Sequence, residues 1–332
     1  MTSQTHRVLI VGTGSIGERH LRCFNKTGRA HVGFVEINDQ QAARILDEYP
    51  HAVRVASLSD ASDWTAAVIA TPAHLHVQQA IDLLKQRLHV LIEKPVSVSE
   101  ERISELSRVT EHSNRVAAVA YVHRSNPVFQ LMKACLVSGE VGRPLQLTAV
   151  CGQPFPFYRP AYANTYYARH EHGGGAVQDA LTHIINLGES LLGPISSLVA
   201  DVAHLAIPAV EVEDTVHVLA RHQDVLANYS LNQHQAPNEL TITVVCERGT
   251  LRFEGHRSRW MMMKEPCGTW EEFIVPSDDR DAPFLRQANN FLDAIEDSSR
   301  PYCSLEEGIA TLRANLAILD SSSQRCWKEL AS

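Results

Sequence analysis

Two side chains that stand four residues apart, Asp179 and His183, have the chemistry of an acid–base pair. Their segment has helical period, and residues at positions i and i+4 face the same side of a helix. An imidazole titrates near neutral pH and can take a hydroxyl proton, while a carboxylate can orient the ring or a substrate. A histidine packed in a core would show the same spacing, so the pair alone does not establish a catalytic site.

Lys94 is a further candidate because it ends a strand-like run, within the tripeptide Glu93-Lys94-Pro95. Thr71 and Pro72 end the preceding strand-like run in the same way. Open α/β sheets bind ligands outside the carboxyl ends of their strands, so these residues are expected near a ligand. An ammonium group there can stabilise a developing alkoxide or pass on a proton. A solvated lysine on a loop is the alternative interpretation.

The elements that must position these residues alternate between short apolar runs and segments of helical period up to about Val122. This alternation is typical of a parallel sheet covered by helices. The predicted strands are Val8–Val11, Val32–Glu36, Ala52–Val55, Ala67–Ala70, His89–Ile92 and Val116–Ala120. The predicted helices are Ile16–Asn25, Gln40–Tyr49, His74–Arg87 and Ser99–His112, the last with a capped entry at Ser99.

A glycine-rich turn, Gly12-Thr13-Gly14-Ser15-Ile16-Gly17, follows the first predicted strand and opens the first predicted helix. Glycines let the backbone turn tightly and approach a pyrophosphate at the amino end of that helix. The pattern alone is weak, but here it has a strand before it and a helix after it. The turn therefore predicts a bound dinucleotide, with a purely structural turn as the alternative.

Glu36 stands at the end of the second predicted strand, about 20 residues beyond the turn, where an acid can bind a ribose hydroxyl. Its carboxylate would repel the additional phosphate of NADP. The following residues, Ile37 and Asn38, offer no basic side chain to hold that phosphate. NAD is therefore favoured over NADP, although an ordinary surface acid would look the same in the sequence.

The pattern changes in the second half of the chain, where strand-like runs follow one another with only turns between them. This predicts an antiparallel sheet. A separate strand is predicted at Leu145–Val150, and the runs that then follow one another are Ser197–Ala203, Thr215–Ala220, Val225–Leu231, Leu240–Cys246 and Thr250–Glu254. Helical period returns in Pro283–Asp297 and Leu305–Cys326, and Met261–Met263 is interpreted as a strand or turn packed on apolar surface.

The motifs, in this order, resemble the Gfo/Idh/MocA oxidoreductase family, which includes glucose-fructose oxidoreductase and inositol dehydrogenase. The glycine-rich turn, the Ala70-Thr71-Pro72 stretch with His76, and the Glu93-Lys94-Pro95 tripeptide carry the resemblance. It covers essentially the whole chain, continuing through Arg124-Ser125-Asn126-Pro127 and a glycine triplet, Gly173-Gly174-Gly175, before Asp179 and His183.

The chain departs from the family pattern at two positions near that pair. Leu181 stands where the family usually has glycine, and Asn186 stands where an acid often falls. These departures leave Asp179 and His183 intact but put the local backbone and the shape of the pocket in question. Asn186 is therefore not carried over as a site residue.

The resemblance implies an α/β protein of two domains. Residues 1–121 are expected to form an NAD-binding Rossmann domain with a doubly wound parallel sheet. Residues 122–332 are expected to form a substrate-binding and oligomerisation domain, α+β with an open, mostly antiparallel sheet, whose last helix packs back on the first domain. One face of that sheet is expected to close the substrate cleft and the other to support a homodimer or homotetramer.

The resemblance also assigns roles to single residues. Lys94 and His183 are expected to handle the proton, and Asp179 to position His183 or a substrate hydroxyl. These three are expected to bind substrate together with Tyr158 and Arg169 of the aromatic segment Phe155–His172, for which a surface arm between subunits is an equal interpretation. The residues expected to hold the cofactor are Gly12, Gly14, Ser15, Ile16, Gly17, Glu36, Thr71, Pro72, His76, Glu93, Lys94 and Arg124.

Two of these cofactor residues have an alternative role. His76 falls early in a predicted helix, where it can cap or pack instead of facing a ligand. Arg124 can equally form a salt bridge between the domains.

Composition narrows the class of partner. The chain has 332 residues, of which 44% are hydrophobic and 20% charged, as in a soluble protein of two domains. Its net charge of -8, without a dense run of Lys and Arg, argues against nucleic acid and anionic membranes. No apolar stretch approaches the roughly 20 residues that span a bilayer, and the polar start Met1–His6 predicts no secretory signal. Seven cysteines without a Cys-x-x-Cys pair fit a reducing cytoplasm.

These expectations combine into one reaction, the transfer of a hydride between NAD and a hydroxyl-bearing carbon of a sugar, polyol or sugar acid. Two alternatives stay open: an enzyme that uses transient oxidation by bound NAD to eliminate or hydrolyse a glycoside, and a non-catalytic sensor of sugars or dinucleotides. No metal is expected, because the 17 histidines include no His-Glu-x-x-His pattern.

Overall fold

The computed structural model describes residues 5–276, 279–297 and 299–330. The start of the chain up to Gln4, where no secretory signal is expected, lies outside these residues. The described chain divides into two compact units. The first contains the described residues up to Ser125 and those from 279 to 309, and the second contains residues 126–276 and 310–330.

A parallel sheet forms the centre of the first unit. Its strands are β1 (His6–Val11), β2 (Ala30–Val35), β3 (Val53–Arg54), β4 (Ala66–Ile69), β5 (His89–Ile92) and β6 (Ala117–Val119). They pair in the order β3-β2-β1-β4-β5-β6, so the doubly wound sheet predicted from the sequence is confirmed. Leu9 and Ile10 of β1 are fully buried, because helices cover both faces of such a sheet.

Both units contain helices. In chain order they are α1 (Ser15–Lys26), α2 (Asp39–Glu48), α3 (His76–Lys85), α4 (Ile103–Ser113), α5 (Pro127–Val137), α6 (Phe155–Tyr158), α7 (Thr182–Leu192), α8 (Ala282–Ile295) and α9 (Leu305–Gln324). Helices α1–α4 and α8 belong to the first unit, whereas α9 begins in the first unit and ends in the second. The predicted domain division differs here, since it assigns all residues after Tyr121 to the second domain.

Helix α8 packs against α1, although the second sheet separates them in the sequence. The ring of Phe291 meets the ring of Phe24 edge to face, with centroids 6.3 Å apart. Asp281, directly before α8, accepts a hydrogen bond from Nε of Arg22 at 2.7 Å. Because the two helices are more than 250 residues apart, periodicity along the chain could not reveal this contact.

Helix α4 begins later than predicted. Arg102, directly before it, has a φ of 61°, which lies in the left-handed region, so the predicted capped entry at Ser99 is wrong. The serines hold short turns instead. Ser97 Oγ accepts the backbone N–H of Ser99 at 3.2 Å, and Ser99 Oγ accepts that of Glu101 at 3.3 Å. Serine competes in this way with helical backbone bonding.

The second unit is built on a mostly antiparallel sheet, as predicted. Its strands are β7 (Pro144–Gly152), β8 (Ser197–Ala203), β9 (Thr215–His222), β10 (Val225–Asn232), β11 (Glu239–Cys246), β12 (Gly249–Glu254), β13 (Arg259–Met263), β14 (Glu271–Ile274) and β15 (Lys328–Glu329). Their order is β14-β13-β12-β11-β7-β10-β9-β8-β15, and β7 pairs with β10 in parallel. Met261–Met263 lie in β13, where Met261 and Met262 are buried.

The two faces of this sheet differ. One face packs against helices, with Phe129 of α5 and Ile185 of α7 in the same core cluster as Tyr229 of β10. The other face carries exposed apolar side chains, among them Leu219 and Leu226. Alternation along the strands produces this difference, because successive side chains point to opposite faces.

Candidate active site

The glycine-rich turn between β1 and α1 leaves an opening at the amino end of α1. A Cβ on Gly17 would overlap the carbonyl oxygen of Gly12, and Gly12 itself has a φ of +86°. A Cβ on Gly14, in contrast, would have no atom within 4 Å. The turn therefore requires glycine at the first and third positions, while the second faces open space beside Ser15 and Ile16. A phosphate can approach the helix amino end at this point.

Glu36 follows β2, and its carboxylate faces the glycine-rich turn. Oε2 accepts hydrogen bonds from the backbone N–H and the hydroxyl of Thr13, both at 2.9 Å, and Oε1 accepts the N–H of Asn38 at 2.9 Å. Burial raises the pKa of Glu36, but hydrogen bonds from Asn38 and Thr13 outweigh it, so the pKa lies below its ordinary value. The carboxylate is therefore ionised and fixed beside the turn.

His76 is buried at the start of α3 and ties two loops together. Its Nδ1 lies 2.9 Å from the carbonyl oxygen of Pro95, and its Nε2 lies 2.7 Å from that of Thr71. Burial lowers the pKa of His76 against the effect of these carbonyls. These contacts favour the packing role for His76, in which it holds Thr71 and Pro72 at the edge of the sheet.

Glu93 holds the backbone of Lys94. Its Oε1 lies 2.7 Å from Nε2 of His20, a fully buried residue of α1, and its Oε2 accepts the N–H of Lys94 at 3.0 Å. The carboxylate is itself buried, so these contacts describe a positioning role for Glu93. The Lys94-Pro95 peptide bond is cis. Sequence reasoning missed His20, although it lies three residues beyond Gly17 on the buried face of α1.

His123, a second residue that sequence reasoning missed, lies near Lys94. It follows β6 in a short 3-10 helix, Val122–Ser125. Because β5 and β6 are neighbours, with Ile92 opposite Val119, the segments after them share one edge of the sheet. Burial and the positive charge of Lys94 lower the pKa of His123 to about 4. A neutral imidazole therefore accompanies Lys94 at neutral pH.

Arg124 is buried within the first unit. Its Nη1 donates to the carbonyl oxygen of Tyr302 at 3.1 Å and to Oε1 of Glu307 at 2.5 Å. All three residues belong to the first unit. The salt bridge of Arg124 therefore forms inside the first unit.

In the second unit, Asp179 and His183 lie on either side of a change in helix type. Val177–Leu181 form a π-helical turn, and α7 begins directly after it at Thr182. Such turns are rare and are frequent at functional sites. The helix is therefore not regular at Asp179, as the sequence predicts, but has a wider π-helical turn there. Leu181, in place of the glycine that the family pattern has, is fully buried and packs in the core.

Glu213 fixes the backbone that enters the π-helical turn. Its Oε1 accepts the N–H of Val177 at 2.8 Å, and its Oε2 lies 2.5 Å from Nε2 of His170. Gly175 has a φ of +87°, and a Cβ there would lie 2.6 Å from the Glu213 carboxylate. The last glycine of the triplet is thus required both by its conformation and by this approach.

One residue of the aromatic segment, Tyr166, contacts Asp179. The hydroxyl of Tyr166 donates to Oδ1 of Asp179 at 2.8 Å. Tyr158, a predicted substrate residue, is about half exposed. Arg169, the other one, is exposed, and its Nη1 lies 3.8 Å from Oε1 of Glu171. No periodicity in this segment distinguishes Tyr166 from its neighbours.

Asn186 lies in the core of the second unit. Its Nδ2 donates to Oγ1 of Thr311 at 2.8 Å, and the Thr311 hydroxyl donates to Glu189 at 2.5 Å. This buried network joins α7 to α9 and gives the amide a structural role.

Three further properties of the described chain concern metal clusters, membrane-spanning helices and cysteines. Across residues 5–276, 279–297 and 299–330, no cluster of three or more His, Cys, Asp or Glu side chains is arranged to hold a metal ion. The same residues contain no helix long and apolar enough to cross a membrane. The seven cysteines are free thiols.

Two family models match consecutive parts of the chain. One, described as an oxidoreductase family with an NAD-binding Rossmann fold, matches residues 6–121. The other, described as the Gfo/Idh/MocA C-terminal domain, matches residues 129–252.

Curated relatives include dehydrogenases of sugars and polyols. Levoglucosan dehydrogenase of Pseudarthrobacter phenanthrenivorans is 28% identical over 142 residues, which are 43% of this chain and 36% of the relative. Inositol 2-dehydrogenase of Mycolicibacterium gilvum is 29% identical over 56% of this chain and 52% of the relative. These matches span only about a third to a half of the relatives' length. Inositol 2-dehydrogenase 2 of Mycolicibacterium vanbaalenii is 27% identical over 81% of this chain and 78% of the relative.

Solved structures share the whole fold. A levoglucosan dehydrogenase in complex with NADH and levoglucosan superposes with a TM-score of 0.89 at 20% identity, covering 99% of this chain and 100% of that one. The WlbA dehydrogenase of Bordetella pertussis, in complex with NADH and UDP-GlcNAcA, has a TM-score of 0.84 at 25% identity, covering 100% and 99%.

Proposed function

This chain belongs to the Gfo/Idh/MocA family of oxidoreductases, and we propose that it transfers a hydride between NAD and a hydroxyl-bearing carbon of a sugar, polyol or sugar acid. The observation that carries this proposal is the fit of a dinucleotide to the first unit. Gly14 leaves open space at the amino end of α1, and the ionised carboxylate of Glu36 is fixed beside it. A pyrophosphate and a ribose need these two features at this spacing.

Bound NAD would accept or supply the hydride, and the chain's own residues would orient the partners and handle the proton. Gly12, Gly14 and Gly17 shape the space for the pyrophosphate, and Glu36 binds the ribose. Its negative charge disfavours NADP.

We propose that Lys94, His183 and Asp179 together control the transfer of the proton. Lys94 stabilises the oxygen of the reacting carbon, and His183 takes or returns the hydroxyl proton. Asp179 orients His183 or a second hydroxyl. Relatives named for inositol, levoglucosan and a glucose 6-phosphate support a hydroxylated ring as the substrate class.

We also propose that the protein works as a homodimer or homotetramer in the cytoplasm. The exposed apolar side chains on the open face of the second sheet, Leu219, Leu226 and Trp327, support self-association. The free thiols support a reducing compartment.

The test is a screen of polyols, aldoses and sugar acids for NADH formation, with the Lys94→Ala variant. Lys85→Ala is the matched control, because Lys85 is exposed on α3 and lies outside the proposed site. Turnover by the wild type and the control, with a loss of about a thousandfold in Lys94→Ala, is expected. Undiminished turnover in Lys94→Ala would refute the assignment. Catalysis without net NADH release would favour redox-assisted elimination, and NAD binding without turnover would favour a sensor.

A further inference from the structure

A hydrogen bond links the irregular aromatic segment of the second unit to its candidate acid. The hydroxyl of Tyr166 donates to Oδ1 of Asp179 at 2.8 Å, although the Tyr166 side chain is 49% exposed. Core packing therefore does not force this contact. A hydroxyl that donates to a carboxylate forms a charge-assisted bond, which is roughly twice as strong as a neutral one.

The backbone of Tyr166 is held in place by its neighbours. Tyr167 is buried, its ring packs on Phe155 with centroids 4.4 Å apart, and its hydroxyl bonds to the buried side chain of Gln233. A Cβ on Gly174 would overlap the carbonyl oxygens of Tyr166 and Tyr167, so the glycine triplet lies directly against this backbone. The hydroxyl that reaches the carboxylate thus comes from a fixed support.

The backbone of Asp179 is fixed as well. The π-helical turn around it is held through the N–H of Val177 by the buried carboxylate of Glu213. What remains adjustable is the rotation of the Asp179 side chain, and the groups that contact its oxygens decide that rotation. Tyr166 is such a group, and it belongs to a separate 3-10 turn, Tyr166–Ala168, instead of the π-helical turn.

We propose that Tyr166 is a positioning residue that sets the orientation of the Asp179 carboxylate and thereby the substrate hydroxyls that the site accepts. The inference rests on the proposed function of Asp179 as a group that orients a hydroxyl. It assigns specificity to the aromatic segment through one hydroxyl group, rather than through the charge of Arg169 or the ring of Tyr158.

Tyr166→Phe removes the hydroxyl and keeps the ring. We expect kcat/KM for the best substrate of the screen to fall about tenfold, as expected for the loss of one charge-assisted hydrogen bond, with NAD affinity unchanged. In an Asp179→Ala background, which has no side-chain oxygen to accept the hydrogen bond of the hydroxyl, the same substitution should change kcat/KM less than about twofold. Tyr162→Phe is the matched control. The hydroxyl of Tyr162 donates to the backbone carbonyl of Pro208 at 2.7 Å, so its loss should lower Tm and leave kcat/KM within about twofold.

Wild-type kinetics in Tyr166→Phe, or equal effects of the substitution with and without Asp179→Ala, would overturn the proposal. A crystal structure of Tyr166→Phe separates it from the proposed function, because it needs no turnover. An Asp179 carboxylate that is rotated, or that occupies two conformations, supports the positioning role even if no substrate of the screen reacts. An Asp179 rotamer identical to that of the wild type rejects it, even if the wild type proves to be an active dehydrogenase.

Discussion

The two units hold their candidate catalytic groups in different ways. In the first, Lys94 follows a strand that has hydrogen-bonded neighbours on both sides, and Glu93 fixes its backbone with support from the buried His20. In the second, Asp179 lies in a π-helical turn and contacts Tyr166, which comes from a segment of short helical turns. The regular geometry of the sheet thus positions the groups proposed to bind the cofactor. In the second unit, an irregular segment positions a group proposed to bind the substrate.

This difference separates what family members can share from what they can vary. The carboxyl edge of a parallel sheet presents the same backbone to any dinucleotide. A loop that places one hydroxyl on one carboxylate can change without disturbing that edge. Relatives with 27% to 29% identity are accordingly named for different sugars and polyols.

The largest effect is expected in the first unit, from substitutions in the glycine-rich turn. Gly17→Ala would push a Cβ into the carbonyl oxygen of Gly12, so we expect the first unit to fail to fold or to melt more than about 10 °C lower. Gly14→Ala has open space and a φ of -61°, and should keep Tm within about 2 °C. Its Cβ would nevertheless occupy the space of the pyrophosphate, so NAD binding should weaken at least about tenfold.

Thermal melts monitored by circular dichroism, together with NAD titrations of the folded variant, measure both effects. A Gly14→Ala protein that binds NAD as tightly as the wild type would remove this turn from the cofactor site.

The same contrast explains how far sequence reasoning reaches. The placement of Gly14, Glu36 and Lys94 at one edge of the sheet was predictable, because each follows a strand and the carboxyl ends of parallel strands meet at one edge. The late start of α4 was not, because the serines from Ser97 bind local backbone groups, a choice that their residue type leaves open.

Contacts between residues far apart in the sequence could not be predicted for a different reason. His20 and Glu93 are 73 residues apart and become a pair only through the packing of α1 on the sheet. Tyr166 stands among several tyrosines in a segment without period, and the turns around Gly174 decide which of them reaches Asp179. Such choices depend on tertiary contacts that no local pattern records.

The next effect concerns cofactor choice at Glu36. Glu36→Ser should weaken NAD about tenfold and NADP less, because the lost carboxylate binds the ribose of NAD and repels the phosphate of NADP. Asp47→Asn is the charge-matched control, since Asp47 is an exposed residue of α2. Fluorescence titration with both cofactors measures the ratio of their affinities, and an equal loss for both would contradict the ribose assignment.

A smaller effect is expected from the support beneath Lys94. His20→Phe leaves the buried Glu93 carboxylate without its imidazole partner, so we expect kcat to fall about fivefold with little change in NAD affinity. His20→Gln keeps a hydrogen-bond donor and should recover at least half of the wild-type kcat. Both are measured well below Tm, so that unfolded protein does not contribute. A larger loss in His20→Gln than in His20→Phe would show that the ring's packing matters, and not its bond to Glu93.

The smallest effect is a pH dependence with opposite signs at two histidines. In the first unit, burial and Lys94 lower the pKa of His123 to about 4, so this histidine costs stability as the pH falls from about 6.5 towards 4. In the second unit, the hydrogen bond to Glu213 raises the pKa of His170 against the effect of burial. The stabilisation that His170 contributes is therefore complete below about pH 6.5 and is lost as the pH rises through its raised pKa.

The Tm of the wild type minus that of His170→Gln isolates the second contribution. The difference should be about 1–2 °C near pH 5.5 and should vanish near pH 9, because the His170 side chain is 49% exposed and water screens the pair. A Glu213→Gln background serves as the control, and there the difference should not follow this pH course, because the carboxylate that pairs with His170 is gone. A His170 difference that does not change with pH would contradict this linkage. Glu213 would then support the π-helical turn through the N–H of Val177 alone, and the irregular half would not depend on protonation.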